Sequence, residues 1–382
     1  MKIGVIKEKA INESRVSLVP AHVPILLKEG YQVYIEKNAG LKAGYSDHDY
    51  REKKATIIDT QEDLLKEVDI IFVVKTGAAS EDLSLIENLK ENHILIGLME
   101  PYQQHEAFAK LIEKNVNAFS MELIPRTTRA QSMDVLSSTA NLAGYSAAII
   151  GANYATKMFP MMMTAAGTIP PAQVFVLGVG VAGLQAIATA KRLGALVSAY
   201  DVRSEVAEQV ASLGAKFVTF DLEEAKGDGG YAKAMDEAYY EKQRTLMKKE
   251  LSTKDVVITT ANIPGKKAPT LITEAMVKVM PKGSVIVDLA AERGGNCTLT
   301  EPGKVVIKHG VTIVGPLNLA TDRAQNASML YSKNMISFLL NLWVKKEKGR
   351  INWEDDIVKA TYLNRYNEGF NKERAELIGG LK

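Results

Sequence analysis

Strand-like and helix-like patterns alternate along almost the whole chain, and this alternation restricts the folds open to it. Runs rich in β-branched residues at positions 2–6, 33–36, 70–75, 93–98 and 116–121 are separated by amphipathic stretches such as 20–29 and 61–68. A second series follows at 173–177, 196–200, 216–220, 256–260, 284–289 and 311–314. Strand and helix in regular alternation imply parallel sheets with helices on both faces. At 382 residues the chain is too long for one ordinary core. The expectation is therefore an α/β protein of two Rossmann-like, doubly wound parallel-sheet domains with a cleft between them. The stretch 134–159 reads as helical and bridges the domains. After Thr321 the pattern returns to helix, over 328–345, with no further strand. That tail is expected to pack back on the first domain, giving boundaries of 1–137 plus 325–382 for one domain and 138–324 for the other.

Charge and apolar patterning exclude several functions. Lys and Arg number 47 against 45 Asp and Glu, a formal net charge of +2, which gives no field suited to nucleic acid or an anionic membrane. The stretch from Met158 to Gln185 is broken by Pro160, Pro170 and Pro171. The apolar run 336–344 is far shorter than the roughly 20 residues a bilayer requires. No direct membrane insertion is expected. The N-terminal residues lack the apolar core of a signal peptide. One cysteine, Cys297, precludes an internal disulfide and fits a reducing compartment. With no histidine nearby in sequence, it reads as an inert small residue. The five histidines show no metal-ligand spacing, so no metal is expected.

The sharpest chemical motif is Gly178-Val-Gly180-Val181-Ala182-Gly183, placed directly after the strand 173–177 and opening a helix over 182–193. Gly178 permits a tight turn, Gly180 lets a pyrophosphate approach the backbone, and Gly183 lets helix and strand pack closely. The helix N-terminus would then present free N–H groups to phosphate. An acid, Asp201, ends the next strand about 20 residues on, where a carboxylate can bond the adenosine ribose and repel a 2′-phosphate. This favours NAD over NADP. Arg203 leaves the point open, since a nearby arginine can accommodate that phosphate.

Longer blocks carry a resemblance. The segment Met121-Glu-Leu-Ile-Pro-Arg126-Thr-Thr-Arg129-Ala-Gln131-Ser-Met-Asp134-Val-Leu-Ser137 resembles a signature of transhydrogenase NAD(H)-binding domains. So do Phe159 through Ala172, Gly229-Gly-Tyr231, Thr259-Thr-Ala261-Asn-Ile263-Pro-Gly265 and Gly294-Gly-Asn-Cys297. The likeness runs from Met1 to about His309. It implies direct hydride transfer from NADH on this chain to NADP+ on a partner domain, the Re/Si-specific reaction that a membrane subunit couples to proton translocation. In that family Arg126 would orient the carboxamide, Asp134 and Ser137 would hold the ribose hydroxyls, and Gln131 would reach toward the partner's nucleotide. Tyr231 would belong to a loop folding over bound nucleotide. The glycine-rich break Gly227-Asp-Gly-Gly230 suits a hinge and equally an ordinary surface loop. Val181, Ala182, Val202, Arg203, Ala261 and Ile263 complete the expected cofactor contacts. Arg126, Gln131 and Asp134 would otherwise read as a capped helix start. The resemblance further implies a homodimer, NADP(H)-binding and membrane-spanning partner subunits, and a place on the cytoplasmic face of a bacterial membrane.

Alanine dehydrogenase is the rival reading. Lys7-Glu8 through Glu13-Ser-Arg15 is similar to its N-terminus, and Arg15 and Lys75 fall where that enzyme binds its substrate. Its catalytic histidine has no counterpart in Gly97-Leu98-Met99-Glu100, and its catalytic aspartate falls near Glu292. Without the histidine, reductive amination loses its acid–base group. Arg15 and Lys75 then read as inheritance or a salt-bridged surface. A non-catalytic NAD-sensing module is a third reading, which the nicotinamide-side residues speak against.

Overall fold

The central β-branched runs form strands because both faces of each are covered. In the computed structural model, which describes residues 1–76, 83–102, 106–219, 237–262, 265–345 and 347–363, the strand Ile70–Lys75 shows why. Ile70, Phe72 and Val74 enter one apolar cluster, while Ile71 and Val73 enter another on the opposite face. A strand buried on both sides needs no polar alternation, and such strands belong to parallel sheets under helices.

The chain divides into two compact units, one formed by residues 1–139 and 320–382, the other by 140–319. The first unit contains β1 (Lys2–Val5), β2 (Gln32–Glu36), β3 (Thr56–Ile58), β4 (Ile70–Lys75), β5 (Ile94–Leu98) and β6 (Asn117–Ser120). They pair in the order β3-β2-β1-β4-β5-β6, all parallel. That is the doubly wound order, whose crevice opens beyond the carboxyl ends of the two central strands.

The second unit repeats the plan. After a hairpin, β7 (Met162–Thr164) and β8 (Gly167–Ile169), come β9 (Gln173–Leu177), β10 (Leu196–Tyr200), β11 (Lys216–Phe217), β12 (Val256–Thr259), β13 (Val285–Asp288), β14 (Val305–Lys308) and β15 (Val311–Val314). The sheet order is β11-β10-β9-β12-β13-β15-β14, with β14 alone antiparallel. Val174 and Val176 of β9 face one apolar cluster and Phe175 and Leu177 the other.

Three sequence expectations need correction. The second sheet has seven strands rather than six, because the antiparallel edge strand Val305–Lys308 joins it. The short edge strand Thr56–Ile58 adds a sixth strand to the first sheet. The tail also holds strand: the helix Ala324–Asn341 stops earlier than expected, and β16 (Trp343–Val344) pairs with β17 (Glu347–Ile351). Gly349, at φ +95°, lies within this second strand. Among the described residues, no helix is long and apolar enough to cross a membrane.

Candidate functional site

The glycine loop shows three different steric demands. Gly178 has φ +93°, and a side chain there would put Cβ 2.6 Å from Thr260 Oγ1 and 3.2 Å from the Ala261 nitrogen. A Cβ on Gly183 would lie 1.9 Å from the Gly178 carbonyl oxygen. A Cβ on Gly180 would meet nothing within 4 Å. One glycine thus makes the turn, one closes helix against strand, and the middle one borders open space, as a diphosphate cradle requires. Gly180 precedes the helix Val181–Arg192, and no side chain caps that helix start. Its first N–H groups therefore lack the usual side-chain acceptor, the condition under which a helix start takes an anion.

Neighbouring elements fix the loop. Gly144, in the helix Val135–Tyr154, lies so close to the Ala182 carbonyl that a Cβ would be 2.1 Å from the oxygen. The Thr260 hydroxyl donates to the Gly178 carbonyl at 2.9 Å. Asp201, just past β10, accepts from the Val179 N–H at 2.7 Å, tying the loop to the second strand. Val202 is partly buried against the adjoining apolar cluster.

Arg203 turns back on Asp201. Its backbone N–H and Nε reach Oδ1 at 3.0 and 2.9 Å, and Nη2 reaches Oδ2 at 3.0 Å. Its guanidinium thus clamps the carboxylate it follows. Tyr231 and Ile263, expected near the nucleotide, lie outside the described residues.

Arg126, Gln131, Asp134 and Ser137 lie in the first unit. The short 3-10 helix Thr128–Met133 carries Gln131 exposed, and Arg126 is exposed just before it. Asp134 caps the following helix: its Oδ1 accepts the Ser137 N–H at 2.9 Å and its Oδ2 the Ser137 hydroxyl at 2.5 Å. The segment is pinned from behind. Arg129 binds Asp355 at 2.6 Å and also pairs with Asp356. The Asn334 amide donates to the Ser132 carbonyl at 2.8 Å. No local pattern assigns Arg129 a role, since its partners lie more than 200 positions away.

A second polar cluster sits at the carboxyl ends of β1 and β4. Arg15 is 3% exposed, not at the surface, and is held by Glu13 through Nε at 2.8 Å and Nη2 at 2.7 Å. The Lys75 amine approaches the same carboxylate at 3.9 Å. Glu8 accepts the N–H groups of Val74 and Lys75 at 2.6 and 3.1 Å, yet burial pushes its carboxyl up to about 8. The surface reading of Arg15 is therefore corrected: a guanidinium whose Nε–Nη2 edge forms a bidentate pair with a carboxylate can be buried. Cys297 is buried too, and burial pushes its thiol up to about 11, where it stays protonated.

Fold and loop together define a two-unit α/β protein of the nucleotide-binding class. Residues 4–143 match the model for "Alanine dehydrogenase/PNT, N-terminal domain" and residues 147–370 that for "Alanine dehydrogenase/PNT, C-terminal domain". The chain belongs to this alanine dehydrogenase/PNT family. It is 46% identical over 366 residues to a polypeptide of Rickettsia prowazekii named as the first part of NAD(P) transhydrogenase subunit alpha, covering 96% of this chain and 95% of the relative. Against the same polypeptide of Rhodospirillum rubrum it is 47% identical over 370 residues, covering 96% of each. The crystal structure of transhydrogenase from Sinorhizobium meliloti superposes with a TM-score of 0.85 at 45% identity, covering 95% of this chain and 98% of that one.

Proposed function

We propose that this chain is the NAD(H)-binding component of a proton-translocating NAD(P) transhydrogenase. NADH bound here would give its C4 hydride to NADP+ on a partner domain, leaving NAD+ and NADPH. The observation that carries the reading is the glycine loop, open at Gly180 and closed at Gly178 and Gly183. The names of the relatives point the same way.

When bound, the dinucleotide supplies the hydride chemistry, so the protein's task is to bind, orient and exclude water. The start of the helix Val181–Arg192 would bind the diphosphate. Asp201 would take the adenosine ribose hydroxyls, with Arg203 yielding part of the carboxylate to them. Arg126 would orient the carboxamide and Gln131 would face the partner's nucleotide, as the resemblance implies. Asp134 and Ser137 would accept the nicotinamide ribose without leaving their cap, because a carboxylate has more lone pairs than the two used here. Tyr231 and Ile263 complete the proposal by resemblance alone.

Partner subunits would supply the NADP(H) site and the membrane span. A second copy of this chain is proposed as a further partner, supported by the hairpin β7–β8, where Met161, Met163 and Ile169 are 60%, 80% and 40% exposed. An apolar hairpin of this kind marks an interaction surface. The chain would then sit on the cytoplasmic face of a bacterial membrane through its partners.

The test mixes the purified chain with NADH and an NADP+-loaded partner domain and follows NADPH, with pyruvate plus ammonium as a parallel assay. NADPH formed only with the partner supports the reading. NADH oxidation by pyruvate and ammonium alone would assign the chain to amino-acid dehydrogenation instead. Asp201→Ala should weaken NADH binding on the order of tenfold, the loss of charge-assisted bonds worth about 1.5 kcal/mol or more. Unchanged calorimetric affinity in that variant would remove Asp201 from the site.

A further inference from the structure

Two of the signature blocks meet in the fold at Thr259–Ala261 and Gly295–Cys297, and these residues form one device. At its centre is Asn296, 0% exposed. Its Oδ1 accepts the Ala261 N–H at 3.1 Å, and its Nδ2 donates to the Ala261 and Pro269 carbonyls, each at 2.8 Å. An amide that gives and takes one bond with the same residue imitates a neighbouring strand. It continues the pairing of β12 beyond Thr259, where the sheet ends. The Asn296 carbonyl in turn accepts the N–H groups of Leu271 and Ile272 at 2.8 and 2.9 Å.

Asp288, also 0% exposed, holds Asn296 in place. Its Oδ2 accepts the N–H groups of Asn296 and Cys297 at 2.8 and 3.0 Å and the Thr300 hydroxyl at 2.7 Å. Its Oδ1 accepts the Thr259 hydroxyl and the Ala290 N–H, both at 3.0 Å. Gly295, at φ +79°, admits this approach, since a Cβ there would be 2.8 Å from Asp288 Oδ2. One carboxylate therefore fixes both the end of β12, through Thr259, and the amide that extends it.

What Asn296 fixes is the backbone against which the glycine loop rests. Thr260 donates its hydroxyl to the Gly178 carbonyl, and Gly178 faces Thr260 and Ala261 with no room for a side chain. A shift of the 260–261 backbone must therefore move Gly178, because neither peptide can yield sideways. We propose that Asn296, oriented by Asp288, is a positioning residue of the nucleotide site, setting through Ala261 and Thr260 the height at which the glycine loop meets the dinucleotide diphosphate.

This inference rests on the nucleotide-site reading above, and its test separates the two. The full chain and its Asn296→Ala and Thr260→Val variants are titrated with NADH by calorimetry and with adenosine by ligand-detected NMR, and the melting temperature of each is recorded. Adenosine reports the Asp201 end alone, whereas NADH also needs the glycine loop. NADH affinity should fall on the order of tenfold or more in both variants while adenosine affinity holds, since small misplacements of a preorganised site are costly. Thr260→Val keeps the shape and removes only the hydroxyl's bonds to the Gly178 and Leu177 carbonyls, at 2.9 and 3.4 Å, so it answers the question even if Asn296→Ala fails to fold. NADH and adenosine falling together, or Thr260→Val binding NADH as the parent does, would overturn the inference. A parent chain that binds adenosine and NADH equally weakly would overturn the nucleotide-site reading itself, and the inference with it.

Discussion

Gly183→Ala is expected to abolish NADH binding and to lower stability by about 1–3 kcal/mol, the range for forcing an extra carbon into a packed interior. The added Cβ would lie 1.9 Å from the Gly178 carbonyl oxygen and 2.9 Å from its carbon. Both are backbone atoms at the end of a central strand, so no side-chain rotamer can relieve the clash. The helix cannot retreat easily either, because Gly144 packs against the Ala182 carbonyl on the same turn. What gives way is the turn itself, and with it the geometry of the anion cradle. Gly180→Ala is the paired control. Its Cβ would meet nothing within 4 Å, and its φ of −81° suits alanine. That variant should melt with the parent yet bind NADH more weakly, since the methyl group takes the space a diphosphate needs. Thermal melts and calorimetric titrations check both. A Gly183→Ala protein with parental melting and affinity would mean that helix and strand do not meet as the structure has them.

This contrast shows what a sequence can reveal. Glycines at 178 and 183 are legible because the turn and the helix–strand contact demand them, and the one at 180 because a diphosphate would need its open space; the strand before and helix after supply the context. The central strands are legible from length and β-branching: β4 and β9 are apolar on both faces, and a short run such as Ile70–Lys75 suits a buried strand better than a helix. Edge strands carry no such signal. Val305–Lys308 has Val305 and Ile307 exposed, and Glu347–Ile351 is mostly charged and exposed. Their pairing is decided by a neighbour rather than by their own pattern. Sites assembled across long separations are equally hidden. Arg129 finds Asp355, and Asn296 finds Ala261, only after folding. Asp134 is an intermediate case, since the residue types that cap a helix and those that hold a ribose are the same.

Glu13→Ala is the second variant with a large expected effect, a loss of about 3–5 kcal/mol, the cost of leaving a buried charge without its partner. Glu13 and Arg15 are 1% and 3% exposed, and Glu13 takes the Arg15 backbone N–H at 3.0 Å as well as its side chain. Burial pushes the Glu13 carboxyl up, but the Arg15 bonds and charge outweigh it and hold the carboxyl below the ordinary range. A depressed carboxylate contributes stability that is present above its unfolded pKa and lost as pH falls through the folded one. The parent should therefore lose stability on acidification below the ordinary glutamate range, and Glu13→Ala should lack that part of the slope. The cost comes from the orphaned guanidinium, not from absence of the pair, so the double variant Glu13→Leu/Arg15→Met should recover much of the loss. Chemical denaturation of the three proteins at neutral and acid pH measures this directly. If the double variant is no more stable than Glu13→Ala, the pair is held for its packing and not for its charge. If it folds well but fails in hydride transfer with the partner, the cluster at the ends of β1 and β4 belongs to the reaction and not to stability alone.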